Sequence, residues 1–169
     1  KKALIWRGIV NSDLGKYSTA IKDFDKAIVL DPKSDDALYL RGLAKRDLGK
    51  YHEAIKDFDA AIRLSPEDYF LYIMGMGNTK RDLGKYDEAI KDFDEAIRLN
   101  PKDPHPLFLR AFAKIDLGKN DEAIEDLDKA EKLYDKDPLT FYNRGVAKYE
   151  LGKVNESLTD FNEAIRLKP

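Results

Sequence analysis

The chain has 169 residues, 43% of them hydrophobic and 37% charged, with a formal net charge of -2. That balance excludes a disordered polymer and a polybasic nucleic-acid binder, and the absence of cysteine excludes disulfides, Cys-ligated zinc and a thiol nucleophile. No apolar run approaches the ~20 residues of a membrane span, and KKALIWRGIV at the start is cut by Arg7, so membrane insertion is not expected; no targeting signal is visible, which leaves the location open with the cytoplasm favoured.

The segments DLGKY from Asp13, KRDLGKY from Lys45 and again from Lys80, DLGKN from Asp116 and ELGKV from Glu150 punctuate the chain. Their glycines (Gly15, Gly49, Gly84, Gly118, Gly152) stand 34, 35, 34 and 34 residues apart, the mark of a repeat architecture. The copies run 1–34, 35–68, 69–103, 104–137 and 138–169, one repeat domain over 1–169, and positions below carry first-copy numbers. In the second copy Leu38, Leu40, Leu43, Ala44 and Leu48 precede the Leu-Gly-Lys. After it, Ala54, Ile55, Phe58, Ala61 and Ile62 fall at i, i+1, i+4, i+7, i+8, a helical stripe.

The glycine is placed to end the first helix in the left-handed conformation. Pro32, Pro66, Pro101 and Pro169 close the second helix. The third copy holds the extra residue ahead of its turn, near Asp68-Tyr69, which predicts a local irregularity exposing Tyr69 or Phe70. Asp103-Pro104 and Asp137-Pro138 read as an N-cap followed by proline at the first helical position, opening the fourth and fifth copies. The last helix, NESLTDFNEAIRLKP, has no following helix to cover Leu158, Ile165 and Leu167. With no initiating Met and an end at Pro169 in mid-pattern, a piece of a longer or processed protein is expected. No segment alternates as a strand would, so the pattern predicts ten helices in five antiparallel hairpins.

Small residues recur on the apolar faces: Gly8, Gly42, Gly77, Ala111 and Gly145 at position 8, Ala or Ser at 20, and Ala at 27 in every copy. Position 24 is large throughout (Phe24, Phe58, Phe93, Leu127, Phe161), a knob for the space the small residues leave. A mid-helix Gly costs ~1 kcal/mol against Ala, so close helix contact is the expected compensation. Arg7, Arg41, Arg110 and Arg144 each share a copy with Asp23, Asp57, Asp126 and Asp160, which predicts repeated bidentate bridges between helices. Only the third copy, with Met76 and Asp92, departs.

Candidate chemistry is sparse. A phosphate loop needs GxxxxGK[ST] after a strand; Gly8 to Gly15 is too long, Tyr17 stands where Ser or Thr belongs, and no strand precedes. Gly75-Met76-Gly77 lacks the third glycine of a dinucleotide fingerprint and reads as close packing. His52-Glu53 opens like HExxH, but Lys56 occupies the second histidine's place, and His105 is the only other histidine. The acids Asp13, Asp47, Asp82, Asp116 and Glu150 recur in like surroundings, whereas acid-base catalysis needs two different ones. Neither a catalytic residue nor a metal or cofactor is expected.

A 34-residue helix-turn-helix unit with small residues at 8, 20 and 27, an aromatic at 24 and proline at 32 resembles the tetratricopeptide repeat, here in five tandem copies over all 169 residues. It departs from the pattern with Leu4, Leu38, Ile73, Leu107 and Phe141 at position 4 and with Arg at 7. The resemblance implies an all-α, right-handed α-solenoid whose first helices line a concave groove. Positions 5, 9 and 12 then supply the candidate contacts: Tyr39, Leu43 and Arg46; Met74, Asn78 and Arg81; Phe108, Phe112 and Ile115; Tyr142 and Tyr149. The stripe is aromatic toward its ends and cationic at Arg46 and Arg81. Position 5 is never Lys and Asn78 is the only Asn at position 9, so the family's carboxylate clamp is not expected.

The resemblance implies a non-catalytic scaffold that binds a protein or peptide, apolar or aromatic with some acidic residues. The alternatives are that several stripe residues pack between repeats, and that the uncovered terminal repeats drive homo-oligomerisation.

Overall fold

The computed structural model describes residues 1–134 and 137–168. Its elements are α1 (Lys2–Asp13), α2 (Tyr17–Leu30), α3 (Asp35–Asp47), α4 (Tyr51–Leu64), α5 (Tyr69–Asp82), α6 (Tyr86–Leu99), α7 (His105–Asp116), α8 (Asn120–Leu133), α9 (Pro138–Glu150) and α10 (Val154–Leu167), with one 3-10 turn, Pro66–Asp68. The fold is all-α, as the periodicity predicts.

Two compact units divide the chain, Lys1–Gly84 and Lys85–Pro169. In the first, α1 pairs with α2, α3 with α4, and α5 lies against α4; in the second, α6 lies against α7, α7 pairs with α8 and α9 with α10. The first helices also touch, α1 with α3 and α3 with α5, while α2 and α4 do not. Likewise α7 touches α9. Within each unit the first helices therefore draw together and form its inner face.

The turns follow the chain's chemistry. All five turn glycines have φ between 71 and 80°, where a side chain would be strained. At the second turn Lys50 N donates to Lys45 O at 2.8 Å and Gly49 N to Arg46 O at 2.8 Å, the paired bonds that satisfy the last carbonyls of α3. α2, α4 and α6 stop before Pro32, Pro66 and Pro101; Pro169 lies outside the described residues. Asp137 caps α9 by accepting from Thr140 N at 3.0 Å. Asp103 accepts from His105 N at 2.9 Å, the bond expected of an N-cap, although the regular helix α7 begins at His105, one residue after Pro104. The extra residue of the third copy is absorbed by the 3-10 turn leading into Tyr69. Neither Tyr69 nor Phe70 is exposed as expected: both are half-buried, and the large apolar residue left open at the start of α5 is Leu71.

The first, second and fifth hairpins close on their position-24 knob, Phe24, Phe58 and Phe161 against Gly8, Gly42 and Gly145. A Cβ on Gly42 would stand 2.7 Å from the ring of Phe58, which is fully buried, so α3 meets α4 only because that residue has no side chain. The fourth copy exchanges both partners: Ala111 replaces the glycine, Leu127 replaces the phenylalanine, and the two pack with Ala123. Hole and knob shrink together, which keeps the volume filled.

The predicted Arg-Asp bridges are present and bidentate. Arg41 Nε and Nη2 donate to Asp57 at 2.9 and 2.7 Å. Arg7 donates likewise to Asp23, Arg110 to Asp126 and Arg144 to Asp160. Two further links were not predicted. The third guanidinium nitrogen reaches position 25 of the preceding copy, Arg41 Nη1 to Asp25 at 2.6 Å and Arg144 Nη1 to Asp128 at 2.7 Å, with Arg110 on Asp94. Lys at position 11 meets the same buried acid, Lys45 with Asp57, Lys114 with Asp126 and Lys148 with Asp160, at 2.7 to 2.8 Å.

One arginine thus ties three helices, and a buried carboxylate receives two cations, the arrangement that makes burying charge tolerable. The third copy substitutes an aromatic clasp: Met76 is buried against Ala54 and Phe58, and the Tyr72 ring packs 5.4 Å from that of Tyr39. Tyr72 Oη donates to Asp35 at 2.7 Å, and burial and that carboxylate push its hydroxyl pKa well up, so it stays a donor.

Candidate interaction surface

Positions 5, 9 and 12 lie on the helices that form the inner face of each unit, because 5, 9 and 12 share one side of a helix while 3, 6 and 10 turn toward the preceding hairpin. In α3, α7 and α9 positions 3 and 10 are covered, Ala37, Ala44, Ala113, Thr140 and Ala147 all being buried, while at position 6 Leu109 is buried and Leu40 and Asn143 are half-buried.

In the first unit the stripe is a wall with few protrusions. Leu43 and Tyr39 pack beside Ala54, Phe58 and Met76, and the Tyr39 ring sits 5.8 Å from that of Phe58. Asn78 and Arg81 are half-buried. Met74, expected on the surface, is only 7% exposed and offers no side-chain face to a ligand. A cleft of about 380 Å3 opens beside the stripe, lined by Ile9, Ser12, Asp13, Tyr17, Leu43 and Asp47 among others. Position 9 supplies its apolar wall from two copies, Ile9 and Leu43. Tyr17 and Asp47 also line it, which positions 5, 9 and 12 do not predict; the Tyr at position 17 in three copies (Tyr17, Tyr51, Tyr86) is the signal that marks this rim.

Charge differs from expectation in its availability. Arg46 Nη2 and Nε donate to Asp47 Oδ1 at 2.8 and 3.0 Å, and Asp82 on α5 approaches to 3.8 Å. The cation is balanced by neighbouring acids at position 13, so the centre of this face is an ion-pair ladder more than a bare cationic patch.

In the second unit Phe108 and Ile115 are half-buried against Ala111, Ala123 and Leu127, and Phe112 is half-buried. Tyr142 and Tyr149 on α9 are 53% and 59% exposed. Tyr142 lies 6.0 Å from the Phe161 ring and borders a larger cleft, about 550 Å3, with Leu139, Ala164 and Ile165. Among the described residues no three His, Cys, Asp or Glu side chains gather as metal ligands, and no helix is long and apolar enough to cross a membrane.

Models of the tetratricopeptide repeat match residues 7–69, 73–103 and 140–169, and a further repeat model of the same kind matches 113–152. Among curated proteins no match is found. Solved structures share the fold. MamA (residues 41 to the end) from Desulfovibrio magneticus RS-1 is 18% identical with a TM-score of 0.85, covering 99% of this chain and 94% of its own. YrrB, described as a repeat protein with an unusual peptide-binding site, is 23% identical with a TM-score of 0.74 over 98% of this chain and 85% of its own. TTC0263, a thermophilic repeat protein of Thermus thermophilus, is 22% identical with a TM-score of 0.77 over 99% and 91%.

Proposed function

The chain belongs to the tetratricopeptide repeat family, and we propose that it is a non-catalytic scaffold whose inner-face stripe binds an extended or helical peptide segment. The observation that carries this reading is the set of apolar and aromatic side chains at positions 5 and 9 of the first helices within each unit, Tyr39 and Leu43 in the first and Phe108, Phe112 and Tyr142 in the second, with a cleft beside each set. Aromatic anchors beside small clefts suit peptide side chains, and the peptide-binding site of the structural neighbour YrrB lends support by analogy of fold. Apolar contact is the main source of affinity in this reading: an acidic ligand group at Arg46 would have to displace Asp47. The test is selection of binders from a random peptide library, followed by calorimetry on Tyr39→Ala, Phe108→Ala and Phe112→Ala. Unchanged affinity for every selected peptide, with each variant folded, would refute the groove.

A second reading is favoured by a separate observation. Leu158 and Ile165 on α10 are 57% and 63% exposed, Ile165 beside the larger cleft, an apolar face of the kind that drives self-association. Mass measured by light scattering across a wide concentration range decides it; a strict monomer throughout disposes of it.

A further inference from the structure

The first helices of the first unit each end on an acid, Asp13 on α1, Asp47 on α3 and Asp82 on α5. Between the second and third of these the chain supplies its own cation. Arg46 donates Nη2 and Nε to Asp47 Oδ1 at 2.8 and 3.0 Å, and its Nε lies 3.8 Å from Asp82. One guanidinium thus stands between carboxylates of neighbouring helices and offsets the repulsion those acids meet at the helix carbonyl ends.

Between the first and second acids the chain provides no such group. Position 12 of α1 is Ser12, too short to bridge, and among the described residues no side chain bonds or pairs with Asp13. In place of a guanidinium there is the cleft of about 380 Å3, whose lining includes Ser12, Asp13 and Asp47. Its walls come from α1, α2 and α3, which all touch one another, so it is formed wholly within the first unit. Ile9, Leu40 and Leu43 make it apolar beneath the two carboxylates.

An occupant that matches this lining has an aliphatic stem for the wall and a cationic end for Asp13 and Asp47. An acidic side chain there would meet like charge, and a purely apolar one would strip water from Asp13 without replacing it. Arginine fits better than lysine: its planar fork serves two carboxylates at once, as Arg46 does, and it stacks on aromatic rings such as that of Tyr17, which also lines the cleft.

We propose that the peptide segment bound on the inner face of the first unit carries an arginine whose guanidinium enters this cleft between Asp13 and Asp47, the place that Arg46 holds between Asp47 and Asp82. This rests on the peptide-scaffold reading and names the ligand residue that sets specificity in the first unit. The preferred ligand is basic at this point, where the sequence pattern suggested acidic residues, because Arg46 already has Asp47 as its acceptor.

Selection from a random peptide library on the 169-residue chain tests it. Peptides weakened by Tyr39→Ala are kept as first-unit binders, and their affinities are measured by calorimetry, with circular dichroism verifying the fold of each variant. Arginine should recur at one place in these peptides, and its exchange for citrulline, a neutral isostere, should weaken binding about tenfold, an effect that shrinks in high salt. Asp13→Asn should make that exchange nearly silent. Ser12→Arg, which gives α1 the cation that α3 has, should do the same by filling the cleft; Asp13 is exposed and Ser12 half-buried, so both changes are compatible with the fold. Binders confined to the second unit, first-unit binders without a recurring arginine, or a citrulline exchange as costly in Asp13→Asn as in wild type would each overturn this assignment and leave the peptide scaffold standing. A library that yields no peptide weakened by any of Tyr39→Ala, Phe108→Ala and Phe112→Ala sinks both.

Discussion

Asp126 is 1% exposed and receives Arg110 through two nitrogens and Lys114 through one. Removing Arg110 leaves a buried carboxylate with one cation, so Arg110→Ala should lower stability by about 3 kcal/mol in chemical denaturation. Asp94 touches the same guanidinium but its side chain is 51% exposed, so Asp94→Ala should cost under about 1 kcal/mol. Equal losses for the two would show that burial does not set the strength of this network. A second residue-scale prediction concerns the fourth knob. Leu127→Phe should destabilise by about 1 to 3 kcal/mol through crowding against Ala111, and adding Ala111→Gly should recover part of that loss, less the ~1 kcal/mol of a mid-helix glycine. A double variant no more stable than Leu127→Phe alone would contradict the paired exchange of hole and knob.

Acid sensitivity belongs to the same groups. Hydrogen bonds from Arg7 hold the Asp23 carboxyl below its usual range. Burial pushes Asp160 up, but Arg144 and Lys148 outweigh it and hold it below that range as well. A carboxylate depressed in the folded state contributes stability that is complete above its unfolded pKa, about 3.9, and is lost as pH falls through the lower folded value. Stability should therefore drop below about pH 4, and Asp160→Asn should flatten that limb while lowering stability at neutral pH. An acid limb of unchanged steepness in the variant would count against this assignment.

Among the elements, the helices and turns were legible because each carries a local cause: a glycine that alone tolerates the left-handed turn, a proline that stops α2, α4 and α6, a 3.6-residue apolar period between them. Gly49→Ala should cost about 1 kcal/mol for that reason, measurable by thermal unfolding. The Arg-Asp pairing was legible too, since Arg at 7 and Asp at 23 recur together. Its extension to Asp25, Asp94 and Asp128 was not anticipated, because those acids belong to the preceding copy and reading each copy separately conceals a contact that crosses the boundary. The capping of α7 was legible for a similarly local reason, the Asp103 carboxylate accepting from His105 N at the head of the helix. In the stripe, sequence marked which face each side chain takes but not its depth. Met74 sinks from view and the charge of Arg46 is balanced by Asp47, outcomes set by neighbours that helical spacing does not encode.

At the scale of the whole molecule, the account is of a scaffold built from one hairpin used repeatedly, with apolar and aromatic side chains on the inner face of each unit and exposed apolar side chains, Leu158 and Ile165, on α10. The inner face of the first unit and α10 are separable. Ile165→Asp should abolish self-association and leave binding of a peptide selected on Tyr39 and Leu43 unchanged within about twofold, because those residues lie in the other unit and distant sites act independently, whereas Tyr142 borders the same cleft as Ile165. The most direct measurement of the central claim is calorimetric titration of a peptide selected on the 169-residue chain into wild type and Phe112→Ala, both shown to be folded. The account predicts about a tenfold weaker affinity or worse for the variant, as expected when an aromatic anchor is truncated; affinities equal to wild type for Phe112→Ala, Tyr39→Ala and Phe108→Ala would contradict it.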